Sequence, residues 1–477
     1  DRDLITSQSG GTLNLRDSLT YNTALLSNGY FLQGLASLVD TVNEYSYDGT
    51  TLTIYSTTTP AVQISTVDTL VWVRKKSNLT IDGVNITGAN IAAIQFDTCT
   101  NITVKNCSFD YSGTIALSAL KSSRLNILNN TINHSLSGGI YARQLDYYTT
   151  PVNQCDSAIV TGNTIKNTAT IAGMGLGGNA RYNAIEIQGL NLGPYVVGNT
   201  VDSSGYNGIE FFGKKSVIRN NIVSNFCFVK DDGGGIRTVI GNYLDSAYSD
   251  SSVVSSNIIF NGIGAPLGTT VGAEAFGIYF DNNARRIIAD SNTVYNCNPI
   301  GIGINQTLQI TARYNNLYNN TKNFNLTQIN SNDTGIVITH NALYANSSLP
   351  LIDASGVTFG LNYFKIIDSN YYYNPYYTNP IIKYNGSTVY TLSGWQTLSS
   401  QDASSVGIPT TLVTNDAAGL VLNTSLSPIT YNLGSTWISN GVSYNSIPLQ
   451  PINGAIVLKA AYNVFTNSDL RFKKLSQ

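Results

Sequence analysis

Between about residue 78 and residue 345 the chain repeats one short pattern: an apolar, mostly β-branched pair, a small or polar residue, Asn, any residue, and an apolar residue. It occurs as NILNNTI, AIVTGNTI, YVVGNTV, SVIRNNIV, VVSSNII, IIADSNTV, ARYNNL and VITHNAL, with the recurring Asn at Asn130, Asn163, Asn199, Asn221, Asn257, Asn292, Asn315 and Asn341. Cys107 and Val84 take the same slot in two earlier copies. The shortest intervals (84 to 107, 107 to 130, 199 to 221, 292 to 315) are 22 or 23 residues, and a period in this range means a solenoid. Short period-2 stretches with no helical periodicity make its units strands. The LxxLxLxxN spacing of leucine-rich repeats is missing. The pattern therefore predicts an all-β chain, a right-handed parallel β-helix. An inward turn removes backbone donors and acceptors from water, and stacked Asn amides satisfy them from rung to rung. The same ladder accounts for the many Asn-x-Ser/Thr triplets, which are therefore not read as glycosylation sites.

A second strand follows each Asn turn, marked by Gly-Ile or a close variant: GGIYAR, NAIEIQ, NGIEFF, GGIRTV, FGIYFD and IGIGIN. Alternation sends Ile140, Ile185, Ile209, Ile236, Ile278 and Ile302 inward. It sends Tyr141/Arg143, Glu186/Gln188, Glu210/Phe212, Arg237/Val239, Tyr279/Asp281 and Gly303/Asn305 outward. With strands about 4.8 Å apart, Tyr141, Glu186, Glu210, Arg237 and Tyr279 form one outward column. Rung length varies along it. The intervals 130 to 163, 163 to 199, 221 to 257 and 257 to 292 exceed the basic rung by 10 or more residues. The surplus falls around 143–156, 168–182, 238–252 and 262–275. Insertions in a solenoid mark a binding face, so these loops are expected to wall a cleft over the column.

The ends depart from the repeat. Residues 1–70 read as a non-repeating segment that caps the open end of the helix, with strands in YSYDG and TLTIYS joined by an Asp-Gly turn. The β-helix is expected over 71–410, its pattern decaying after Asn341, with GWQTLSSQDASS as a connection on the surface. Residues 411–477 hold the alternating stretches of a small C-terminal antiparallel β-domain, either a packing cap or a carbohydrate-binding module.

Composition narrows the functional classes. Charged residues are 11% of the chain, against about 25% in ordinary proteins, and the net charge is -2. Nothing suggests a nucleic-acid partner, which calls for a basic face. No apolar run approaches the roughly 20 residues of a membrane span. The five cysteines lack CxxC spacing, and there are two histidines; no zinc site, other metal or cofactor is expected. The cysteines read as small buried hydrophobes. The absence of an initiator Met and the Asn- and Tyr-rich make-up read as a mature export product, extracellular, periplasmic or on a bacterial cell surface.

Candidate chemistry gathers near the column. Lys230-Asp231-Asp232-Gly233-Gly234-Gly235-Ile236-Arg237 sets two carboxylates before three glycines, where backbone can approach a ligand. The competing reading is a turn closed by a local Asp231 hydrogen bond. Glu274 opens the next such segment, in which Asp281 points outward and can approach Asp232. Two carboxylates on neighbouring rungs meet the need of glycoside hydrolysis, one acid and one base or nucleophile. Glu186 and Glu210 stand at equivalent positions, so one is expected to titrate high; a Glu210–Arg237 surface ion pair is the plainer reading. Tyr141, Tyr279 and His134 offer stacking or hydrogen bonds to sugars. Arg143, Lys230 and Arg237 keep open a lyase, which neutralises a uronate and abstracts its α-proton.

The run from about Gly205 to Tyr318, with NGIEFFGKKSVIRNNIVSNFCFVKDDGGGIRT, NIIFNGIG and EAFGIYFDNNARRIIADSNTVYNC, resembles the right-handed β-helix glycoside hydrolases of polysaccharide-degrading bacteria, and most the family with fucosidase and xylanase activities. The resemblance implies catalytic carboxylates at Asp232 and Asp281, with Arg237 where Tyr is commoner and Asn282 where a second Asp is common. Three expectations stand: a glycoside hydrolase with a polysaccharide or oligosaccharide substrate, a polysaccharide lyase or uronan epimerase, and a non-catalytic polysaccharide-binding surface protein.

Overall fold

The computed structural model of the chain describes residues 4–16, 32–143, 155–175, 181–189, 191–240, 249–266, 272–345, 347–374, 381–408 and 418–459. Among these residues three long sheets, of 13, 11 and 12 strands, run the length of a right-handed parallel β-helix. One coil shows the plan. Ala92–Asp97 lies in the 13-stranded sheet, Thr100–Lys105 in the 11-stranded sheet and Ser108–Ser112 in the 12-stranded sheet, and Ile115–Leu120 returns to the first.

The Asn ladder is the corner between the 11- and 12-stranded sheets. From Asn130 to Asn341 each Nδ2 donates to the Oδ1 of the next Asn at 2.9–3.0 Å. A second Nδ2 bond goes to a backbone carbonyl of the preceding coil, as from Asn163 to Ile127 at 2.9 Å. The residue before each Asn bends the chain through a left-handed conformation: Asn129 at φ 55, Gly162 at φ 69, Ser291 at φ 57. Gly and Asn suit that region best, which explains the small or polar residue in the repeat. The ladder continues beyond Asn341. Asn370 accepts from Asn341, and the backbone N–H of Asn370 donates to Ser405 Oγ at 2.8 Å.

The Gly of Gly-Ile is required by close approach at the next corner. A Cβ on Gly208 would lie 2.3 Å from Val223 Cγ1, and one on Gly277 2.2 Å from Val294 Cγ1. The Ile that follows drops into the core: Ile185, Ile209, Ile236, Ile278 and Ile302 are fully buried, each contributing about 1.5–3 kcal/mol. At Gly235 a Cβ would meet Ile259 Cγ2 at 2.4 Å and Gly277 O at 2.9 Å. Gly235→Val should therefore cost about 1–3 kcal/mol by overpacking. Gly11→Val, with nothing within 4 Å of its Cβ position, should leave the denaturation midpoint unchanged; equal midpoints for the two variants would contradict the steric account.

All five cysteines are buried and free. At the C-terminal end the structure corrects one expectation. Leu392–Ser399, anticipated as a surface connection, is an α-helix capped by Thr391 Oγ1, which accepts from Gly394 N at 3.0 Å. Its Trp395 is fully buried against Phe364, Tyr384 and Tyr390, extending the hydrophobic core past the last coils. Beyond it, Ala418–Asn423, Ile429–Ser439, Val442–Leu449 and Asn453–Lys459 form an antiparallel sheet. Its Ile456 packs with Tyr344 and Tyr373 on the flank of the 12-stranded sheet. Asn316 Nδ2 ties it down by donating to Gly454 O at 3.0 Å. Near the N-terminus, Tyr45–Tyr47 pairs with Leu52–Ile54 around an Asp48 turn whose carboxylate accepts from Thr50 N and Thr51 N.

Candidate functional site

The outward column stands in register as the alternation requires: Tyr141 opposite Glu186, Glu186 opposite Glu210, Glu210 opposite Arg237, and Arg237 opposite Tyr279. Outward does not mean exposed, however. Tyr141, Glu186 and Glu210 are at 0% exposure, and Arg143, Asp281 and Tyr279 are nearly as closed. Charges so placed must be paired, and they are. Arg143 Nη1 donates to Glu186 Oε1 at 3.0 Å. Arg237 donates from Nη1 to Glu210 Oε1 at 3.0 Å and from Nη2 to Asp281 Oδ2 at 2.7 Å. Asp281 Oδ1 accepts from Asn305 Nδ2 and from Asn282 N, both at 2.8 Å. The expected Glu210–Arg237 surface pair is thus a buried one, extended to Asp281.

Asn183, which sequence reasoning missed, links the two glutamates. Its Nδ2 donates to Glu186 Oε2 at 3.1 Å and to Glu210 Oε2 at 2.7 Å. Its Oδ1 accepts from Asn207 Nδ2, and Asn207 Oδ1 accepts from Gly234 N at 2.7 Å. The signal was present as a second, shorter Asn ladder: Tyr182-Asn183 and Tyr206-Asn207 precede their Ile at the same offset. Glu210 is pushed up from the ordinary carboxylate range, first by burial and then by the charge of Glu186, with Arg237 opposing. The anticipated repulsion is real but secondary to desolvation.

Asp232 sits where the chain turns at φ 53. Tyr206 OH donates to its backbone carbonyl at 2.9 Å, and Tyr279 OH donates to its Oδ1 at 3.1 Å. Glycines on this and a later coil let these rings lie against the chain. A Cβ on Gly233 would be 2.6 Å from the Tyr206 ring, and one on Gly303 2.4 Å from the Phe276 ring that stacks on Tyr279 at 3.8 Å. Asp232 keeps an exposed surface although protein crowds it. Burial, with the charges of Asp281 and Glu274, raises its carboxyl to about 6 against the opposing pull of Arg237. Half-buried Glu274 is raised by burial and by Asp231. Lys230 lies over the Tyr182 and Tyr206 rings at 4.6 and 5.6 Å, and burial lowers it to about 8.

The structure thus gathers Tyr141, Arg143, Glu186, Glu210, Lys230, Asp231, Asp232, Arg237, Glu274, Tyr279 and Asp281 on one face. His134 stands apart. It lies on Thr131–Ser135 of the 12-stranded sheet, stacked on Tyr111 at 4.7 Å with Nδ1 2.9 Å from Asp110 Oδ1. Of the four insertions expected to wall the cleft, 144–154, 176–180, 241–248 and 267–271 lie outside the described residues. Among the described residues no set of three His, Cys, Asp or Glu side chains is placed to hold a metal ion, and no helix is long and apolar enough to cross a membrane.

One family model agrees with the architecture. Residues 53–221 match the family described as the right-handed β-helix region. No curated protein matches the chain. Among solved structures, the chain is similar to the tailspike protein of E. coli bacteriophage HK620, determined in complex with a pentasaccharide. That likeness has 10% identity over 84% of this chain and 85% of the tailspike, with a TM-score of 0.37.

Proposed function

We propose that the chain is an exported glycoside hydrolase acting on a polysaccharide or oligosaccharide, with Asp232 as general acid and Asp281 as the second carboxylate. The observation that carries this reading is the short path between them. Asp232 Oδ1, Tyr279 OH, Asn305 Nδ2 and Asp281 Oδ1 are joined by links of 3.1, 3.4 and 2.8 Å. Laid end to end these are shorter than about 9.5 Å, the upper limit for an inverting pair. Asp232 has the exposure and the raised pKa of a carboxyl that gives a proton to a leaving glycosidic oxygen. Asp281, held in place by Arg237, Asn305 and Asn282 N, would meet water or the anomeric carbon only at the 3% of its surface that stays exposed. The lyase alternative rests on Lys230, whose lowered pKa suits a base.

The test is a screen of plant and algal polysaccharides for new reducing ends, with the ultraviolet absorbance of an unsaturated uronate read in parallel. Because an acid must hold its proton, kcat/KM should fall as pH rises through about 6. Asp232→Asn should lower activity by about 100-fold or more and remove that limb. Asp281→Asn also strips Arg237 of a partner, so its rate is read beside a thermal melt. An Asp232→Asn variant with the parent's rate and pH profile would sink the assignment, and an unsaturated product would move it to a lyase.

A further inference from the structure

Resting on the hydrolase reading, we infer that this face takes a glycan free of carboxylate and sulfate groups. The argument is the fate of its cations. Recognition of a carboxylated or sulfated sugar calls for a guanidinium or ammonium presented to the ligand, with Arg the preferred partner through its bidentate fork. Arg143 and Arg237 are turned into the protein instead. Arg143 is closed at 4% exposure and bound to Glu186. Arg237 spends both terminal nitrogens on Glu210 and Asp281. Lys230 is laid over the rings of Tyr182 and Tyr206, and Lys322, on the far side, is 2.8 Å from Asp353. Each is held by protein groups instead of being extended towards a ligand.

Three of the groups that reach solvent are acidic, beside the half-buried ammonium of Lys230. Asp231 and Glu274 are half-buried and Asp232 is exposed, with Asp232 N bonded to Glu274 O at 3.0 Å so that the two turns are held side by side. These carboxylates already raise one another: Asp231 acts on Glu274, and Glu274 and Asp281 act on Asp232. An anionic sugar placed against Asp232 would add a like charge to a set that is short of positive charge. Uncharged hydroxyls meet no such penalty, since carboxylates accept from them.

The experiment uses the full chain and polymers paired by backbone and differing in charge. Suitable pairs are methyl-esterified and de-esterified homogalacturonan, carboxyl-reduced and native alginate, and desulfated and native carrageenan, with xylan and dextran as uncharged references. Affinity electrophoresis and reducing-end release are read at low and high ionic strength. Every glycan bound or cleaved should be uncharged, preferred over its acidic partner by about tenfold or more at low salt. Tenfold is about 1.4 kcal/mol, the repulsion of two like charges about 12 Å apart at an effective dielectric of about 20. The gap should narrow at high salt. The double variant Asp231→Asn with Glu274→Gln should narrow it as well, and an unchanged ratio there would overturn the electrostatic cause. Preference for any acidic member overturns the inference while leaving the hydrolase reading intact. Failure of every glycan, charged or not, overturns both.

Discussion

Arg237→Met should destabilise the folded chain by about 3–5 kcal/mol, the cost of leaving buried charge without its partner. The side chain is 11% exposed and bonds at once to Glu210 and Asp281, whose own side chains are at 1% and 4%. Met keeps most of the volume, so the loss measures charge and not cavity. Asn183 and Asn305 would remain on the two carboxylates, but neutral donors do not balance two negative charges. The pH dependence has a definite sign. Arg237 lowers the pKa of Glu210, so its removal raises Glu210 further above its unfolded value. A carboxylate raised on folding costs stability above its folded pKa and recovers it as the pH falls towards the unfolded value. The penalty should therefore be larger near about pH 8 than near about pH 5 by denaturant titration. Adding Glu210→Gln and Asp281→Asn should restore much of the loss. A change under about 1 kcal/mol, equal at both pH values, would mean that the network is incidental to stability.

That network also marks how far the sequence could be read. The fold was legible because a solenoid poses the same local problem at every coil and solves it with the same residue. The ladder Asn, the left-handed residue before it and the crowded Gly all recur at fixed offsets. Alternation then placed Glu186, Glu210, Arg237 and Tyr279 in the right column. What it could not supply was exposure, because direction from a strand says nothing of what lies over the sheet. Hence Glu210–Arg237, anticipated at the surface, is buried. Asn183 escaped because its environment is set by partners from two coils, 3 and 27 residues away. His134, expected among the sugar-contacting side chains, follows a ladder Asn and so lies on another sheet. Asn370 carries the same signal in IIDSNYY, 29 residues after Asn341, an interval no longer than those of earlier coils. The helix around Trp395 is too short for a periodic signal to stand out from the strands beside it.

Asn221→Leu should cost about 3–5 kcal/mol, with a footprint confined to neighbouring coils. The amide of Asn221 serves both sides of the ladder. Its Nδ2 donates to Val196 O at 2.9 Å and to Asn257 Oδ1 at 3.0 Å, and its Oδ1 accepts from Asn199 N at 2.9 Å and Asn199 Nδ2 at 3.0 Å. Leu has a similar shape and no polar atom. It would strand the Asn199 backbone N–H, one proton of the Asn199 amide and the Val196 carbonyl, all away from water, and each unsatisfied group costs about 1–3 kcal/mol. Asn257 would still accept from the backbone N–H of Asn221 at 2.9 Å, so the damage is greater on the N-terminal side of the substitution. In a solenoid each coil touches only its neighbours, so the disturbance should decay over one or two coils. Amide exchange would speed at Asn199 and through Thr200–Ser204 and Ile222–Phe226, while Ser108–Ser112 of the same sheet keeps its protection. Uniform loss of protection along the sheet would show that the coils unfold as one body, and an unchanged Asn199 amide would show that water replaces the ladder at no cost.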